Sequence, residues 1–163
     1  MMKMKHYSLA ATLIAAAMLA GCNSDSKLNS PPVIGANSFV TQTDVAIMDR
    51  IAAQDVDGDS LMFELAASPT NGSVMLADDG KFTYTPTAEF TGNDSFTVTV
   101  TDGELTVQGQ IDITVEVATE SFLSYSRAAF AQQEDATPLA INGRIFTQDA
   151  SAEADYADLL TGQ

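Results

Sequence analysis

Residues 94–101, DSFTVTVT, alternate apolar and polar side chains almost without a break, and this period of two restricts the fold more than any other feature. Phe96, Val98 and Val100 project to one side and the threonines to the other, as a half-buried strand requires. A helix would scatter the same residues around its circumference. The pattern recurs downstream, where Leu105, Val107, Ile111, Ile113, Val115 and Val117 share one parity and Asp112, Thr114 and Glu116 take the other. Gly109 interrupts that run, which predicts a bulge. Upstream lie Leu61-Phe63-Leu65, Val74-Leu76 and Phe82-Tyr84, with Asn71-Gly72 and Asp78-Asp79-Gly80 as turns between them. The latter turn, joining Leu76 to Phe82, predicts a hairpin. Val45, Ile47 and Ile51 supply an earlier strand, and Phe39 with Val40 an edge strand before it.

Seven short antiparallel strands at this spacing predict an all-β fold, a seven-stranded Greek-key Ig-like β-sandwich over residues 31–118. The tryptophan and the disulfide of antibody domains are both missing. In order along the chain, PPVIGANSFVTQTD, AAQDVDGDSLMFEL and TNGSVMLADDGKFTYTPTAEFTGNDSFTVTVTDGE resemble a bacterial cadherin-like or Ig-like tandem repeat, from Asn29 to Val117. Such repeats build the stalks of large surface adhesins and exoproteins, so the resemblance implies a cell-surface role in adhesion or spacing.

The N-terminus suggests how the chain reaches a surface. Lys3 and Lys5 precede an apolar run from Leu9 to Ala20, followed by Gly21 and Cys22. A basic head, a short apolar stretch and small closing residues predict a secretory signal peptide over residues 1–21. The run is too short to span a bilayer as a helix. Its LAGC ending resembles a bacterial lipobox, which implies cleavage before Cys22, lipidation of its thiol and a membrane anchor. Asn23, where an aspartate would retain a lipoprotein at the inner membrane, implies delivery to the outer membrane. Residues 22–30 are small and polar after the cysteine, a flexible tether.

Composition removes several functions. The chain carries 22 acidic and 7 basic residues, a formal net charge of −15. Two of the basic residues, Lys3 and Lys5, leave with the leader. Such a surface repels phosphate backbones, so no nucleic-acid partner is expected. His6 is the only histidine and Cys22 the only cysteine, which takes away Ser-His-Asp and Cys-His catalysis and the common zinc sets. A carboxylate pair alone can still hydrolyse a glycoside, yet there is no tryptophan for a sugar platform. We expect no enzymatic activity.

The stretch DVDGD at residues 55–59 places Asp55, Asp57 and Asp59 within five positions. It is not an EF-hand, because Ser60 stands where the turn glycine belongs and Ala66 where the bidentate glutamate belongs. In a seven-stranded Greek key, the loops after the second, fourth and sixth strands meet at one pole. Asp55, Asp57, Asp59, Asp78, Asp79 and Asp102 are then expected together there, with Asp44, Glu89 and Asp94 at the other pole. The cadherin-like resemblance implies calcium at Asp55, Asp57 and Asp102, with Asp59 beside them, Asn29 as a weaker match, and Asp44 and Asp94 at the opposite end. The full cadherin linker pattern is missing at both ends. The competing reading is a solvated acidic turn, with Gly58 allowing a tight bend and aspartates capping local N–H groups.

Residues 119–163 form a C-terminal tail, expected to be partly ordered. Residues 120–133 suit a short helix or an extended linker, and SAEADYADLL suits a short amphipathic helix with Ser151 as N-cap. The tail also has an internal echo. Phe39–Asp44 resembles Phe130–Asp135, and Arg50–Asp55 resembles Arg144–Asp149, as if an incomplete second repeat began here. The alternatives to a spacer are a carbohydrate- or protein-binding module using Phe122, Tyr125, Phe130, Phe146 and Tyr156, or a fragment of a longer repeat adhesin.

Overall fold

A computed structural model describes residues 28–157. The leader, Cys22 and most of the tether lie outside the described residues, as does the end of the tail. The strands in chain order are β1 (Val33–Ile34), β2 (Ser38–Gln42), β3 (Ile47–Arg50), β4 (Ala53–Gln54), β5 (Met62–Ala67), β6 (Gly72–Leu76), β7 (Lys81–Pro86), β8 (Gly92–Thr101) and β9 (Thr106–Glu116). A four-stranded sheet ordered β2-β9-β8-β5 faces a three-stranded sheet ordered β3-β7-β6, with β1 paired to β4.

This is the expected sandwich, with its first two strands each broken in the middle. Asn37 and Ala52 sit at the breaks and hold them in register. The Asn37 side chain accepts from Ala52 N at 2.9 Å and donates to Gly35 O at 2.7 Å. The break lets the first strand begin beside β4 and finish beside β9. One expectation is corrected here: β2 runs parallel to β9, Ser38 opposite Asp112 through Gln42 opposite Glu116. Local alternation specifies which face is buried, and leaves the direction of pairing open.

The buried parity is the one read from the sequence. Phe96, Val98 and Val100 of β8 and Ile111, Ile113 and Val115 of β9 are buried against Phe63, Phe82, Tyr84 and Ile51. Leu105 and Val117 keep the parity but lie beyond the ends of β9 and stay exposed. Gly109 is not a bulge. It pairs regularly with Val98, and a Cβ there would lie 2.7 Å from Ile34 Cδ1. The glycine makes room for the first strand as it crosses the sheet. The irregularity in this sheet falls instead between Leu65 and Ala67.

Asp94 is placed in β8 and is buried, rather than presented in a loop. Its carboxylate accepts from Thr70 N at 3.0 Å, Asn71 N at 2.9 Å, Ser95 N at 2.9 Å and the Tyr84 hydroxyl at 2.9 Å. Burial alone would raise its pKa, but the N–H of Thr70, the Tyr84 hydroxyl and the N–H groups of Asn71 and Ser95 together hold it below the ordinary carboxylate range. Burial, and then Asp94 itself, pushes Tyr84 well above its ordinary value. A carboxylate with a depressed folded pKa stabilises the fold above its unfolded pKa and loses that contribution as pH falls through the folded value. Urea unfolding from pH 6 to pH 3 is therefore expected to show stability falling below about pH 4. Asp94→Asn should flatten that slope.

Beyond the sandwich, β10 (Ala118–Ser121) leads into α1 (Phe122–Phe130), and β11 (Arg144–Thr147) pairs with β10 in parallel. Ser121 caps the helix, its hydroxyl accepting from Ser124 N at 2.9 Å. Phe146 packs against Tyr125, ring centroids 4.7 Å apart, and against Phe122 at 6.3 Å. At the end a 3-10 turn spans Glu153–Tyr156; its N-cap residue is Ala152, where Ser151 was expected. The remainder of that predicted helix lies outside the described residues. Phe130 ends a helix where Phe39 lies in a strand, so the internal echo is not matched by conformation at its first part.

Candidate functional site

Asp55 builds the acidic loop. Its Oδ1 accepts from the N–H groups of Asp57 at 2.7 Å, Gly58 at 3.1 Å and Asp59 at 3.3 Å. Gly58 takes φ +86°, which a glycine adopts without strain and which closes the turn. That is the capped turn expected from the acidic sequence. Yet the other oxygen of the same carboxylate, Asp55 Oδ2, is buried with no hydrogen-bond partner among the described residues. One oxygen makes the turn; the other lacks a positive partner.

An unpartnered buried carboxylate oxygen costs free energy unless a hydrogen-bond donor or a cation meets it. Carboxylate oxygens of Asp55, Asp57 and Asp59 all lie within 4.8 Å of one another. Oxygens on opposite sides of one calcium ion are about 4.6–5.2 Å apart, so all three fit around a single ion. Asp57, Asp59, Asp102, Glu104 and Asn29 line one polar hollow at this pole. The donor set is all oxygen, the chemistry of a hard cation.

The hollow joins three parts of the chain. Asp57 and Asp59 come from the loop after β4, Asp102 and Glu104 from the loop after β8, and Asn29 from the incoming segment; Asp55 precedes the first two in the same loop but does not itself line the hollow. Asn29 Nδ2 donates to Asp102 Oδ2 at 3.0 Å, and Ser30 N donates to Asp57 Oδ2 at 2.8 Å. The N–H groups of Leu105 and Glu104 and the side chain of Asn29 hold Asp102 below the ordinary carboxylate range. Its role is thereby partly structural.

The sequence grouping holds for Asp55, Asp57, Asp59 and Asp102. Asp78 and Asp79 do not line the hollow: Asp79 pairs with Lys81 at 2.6 Å, and the Asp78 carbonyl accepts from Phe63 N. Glu104 escaped the sequence reading, although TDGE places it two positions after Asp102. At the other pole neither proposed ligand is available. Asp94 is saturated by four donors, and Asp44 is paired with Arg144 at 2.7 Å.

With the fold and this pole described, the sequence can be placed. The profile of the family described as bacterial Ig domain matches residues 29–114, more than half of the chain. The chain belongs to the bacterial Ig domain family. No curated protein matches it. Among solved structures, this Ig domain is similar to human protocadherin-24 EC1-2, with TM-score 0.47 and 17% identity over 58% of this chain and 53% of that one. It is also similar to an endo-fucoidan hydrolase of glycoside hydrolase family 107, with TM-score 0.40 and 28% identity over 52% of this chain and 13% of that one. A third is a SusE-like surface-located polysaccharide-binding protein of Bacteroides thetaiotaomicron, with TM-score 0.37 and 15% identity over 55% of this chain and 18% of that one. The matches thus span about half of the protocadherin chain and less than a fifth of the other two.

Proposed function

We propose that this Ig domain is a non-enzymatic spacer or adhesion module of the bacterial cell envelope, held to the outer membrane through lipid on Cys22 and stiffened by calcium. The reading rests above all on Asp55 Oδ2, a buried carboxylate oxygen without a partner among the described residues and beside two further aspartates. Asp55, Asp57, Asp59 and Asp102 would hold the ion, with Glu104 and Asn29 at the rim of the hollow. An ion there would cross-link the two acidic loops and the incoming segment. Its mechanical effect falls at the joint between tether and sandwich, where a spacer gains most from rigidity.

Thermal unfolding in 1 mM calcium against chelator tests this, with magnesium as control. At a dissociation constant near 10⁻⁴ M the ion should contribute about 1.4 kcal/mol. The midpoint should rise by roughly 6–11 °C for a domain of this size. Asp59→Asn is the cleanest variant, since no hydrogen bond to its carboxylate is seen among the described residues. It should abolish most of the shift and raise the chelated midpoint slightly, because one of three mutually repelling carboxylates is removed. Equal midpoints with and without calcium would leave the acidic loop as a turn.

A second reading is supported by the tail, where Phe130 is 73% exposed and Phe122 also faces solvent. A carbohydrate- or protein-binding module would use them. Alanine at both positions should then abolish ligand capture, and a spacer should lose nothing.

A further inference from the structure

The pole opposite the acidic loops is assembled around an arginine supplied from far along the chain. Arg144 Nη2 meets Asp44 Oδ2 at 2.7 Å, and Arg144 Nε meets Glu120 Oε1 at 2.7 Å. The Arg144 side chain is only 13% exposed. Beside it, Asn142 Nδ2 donates to Glu89 Oε2 at 2.7 Å, and the Gly143 carbonyl accepts from Ala118 N at 3.0 Å. Gly143 takes φ +70°, and a Cβ there would lie 2.7 Å from Thr43 Cγ2 and 3.0 Å from the Glu89 carbonyl. The fit is therefore to a glycine followed by an arginine.

The sandwich side of this contact carries its own signature. Asp44 and Glu89 are the non-glycine residues at positive φ among the described residues, at +61° and +62°. Such a conformation is disfavoured for both and is retained where surrounding contacts impose it. Glu89 N donates to Asp44 Oδ1 at 2.8 Å, which turns the other Asp44 oxygen toward the guanidinium. The N–H of Glu89, and after it Arg144, hold the Asp44 carboxyl below its ordinary range.

We propose that this pole is a binding site for the Asn142-Gly143-Arg144 segment, in which Asp44 and Glu120 hold the guanidinium and Glu89 holds the Asn142 amide, and whose occupation fixes the following segment to the sandwich. A side-chain cation does here what a metal ion would do at the other end. The two joints of the domain are then controlled separately: calcium acts at the entry pole, and an arginine acts at the exit pole without any metal. The planar fork matters, because one guanidinium spans two carboxylates that a lysine ammonium meets only as a point charge.

Hydrogen exchange on the intact chain reads this directly. Arg144→Ala should speed exchange at Ile145–Thr147 and Ala118–Ser121 by about tenfold or more. Amides of β8 serve as the internal control and should keep their protection. Arg144→Lys should resemble the alanine variant, and millimolar methylguanidinium should slow exchange again in Arg144→Ala where equal sodium chloride does not. Chelator should leave all of these rates unchanged. Unaltered exchange in Arg144→Ala, or full protection in Arg144→Lys, would overturn the proposal. Should the β8 amides open as well, Asp44→Asn removes the same ion pair at a position where asparagine tolerates the backbone. The tail amides must then loosen alone for the proposal to stand.

Discussion

Asp94→Ala is expected to destabilise the domain by about 3–5 kcal/mol through unpaired buried donors, a large share of the 5–15 kcal/mol that holds a typical fold together. The substitution removes one side chain but strands several donors. Thr70 N, Asn71 N and the Tyr84 hydroxyl all point at the carboxylate, and Tyr84 is fully buried. Each donor left unpaired in the interior costs about 1–3 kcal/mol. Tyr84→Phe should cost less, since it removes one donor together with its need for a partner. The double variant should cost less than the two single ones added, because both act in one network. Urea unfolding of the four proteins measures the cycle. A loss under about 1 kcal/mol for Asp94→Ala would mean that water replaces the carboxylate, and that the network does not brace the β5–β6 connection.

The second large effect is expected at Phe96. Its ring is buried in the middle of β8 and lies 5.5 Å from that of Phe82, which in turn meets Phe39 edge-on at 4.9 Å. This row links β8 and β2 of one sheet through β7 of the other, so it glues the two layers. Phe96→Ala should cost about 3–5 kcal/mol, from lost burial and the cavity left behind. Phe96→Leu should cost less, because much of the volume survives. The comparison has a sharp readout: an alanine variant as stable as leucine would show that the sheets close over the gap.

The parity of β8 and β9 was legible because a strand half-buried between solvent and core writes its face into every second residue. The hairpin at Asp78-Asp79-Gly80 was legible for a similar reason, since its turn chemistry is local; Gly80 takes φ +86° there. What could not be read depends on distant partners. Nothing near Gly109 announces that Ile34 will lie against it. Nothing near Asp94 separates a loop aspartate from one buried under Thr70 and Tyr84. The parallel register of β2 with β9 arises from a crossing that Asn37 stabilises, and a single asparagine carries no such message on its own. At the candidate site the spacing of Asp55, Asp57 and Asp59 brought three carboxylates to one loop, and Greek-key topology added Asp102. Glu104 was missed because the reading stopped at the aspartate expected from cadherin-like repeats. The pairing of Arg144 with Asp44 spans 100 residues and is invisible without the fold.

Calcium at the entry pole is the central claim, and its most direct test is an amide-resolved NMR titration of the intact chain with calcium. Saturable shifts at Asp55–Asp59, Asn29, Asp102 and Glu104 are predicted, with one dissociation constant of about 10⁻⁴–10⁻³ M and no response in Asp59→Asn. Small, non-saturating shifts spread over all exposed carboxylates would contradict the claim, showing an acidic surface that attracts cations and a loop that binds none.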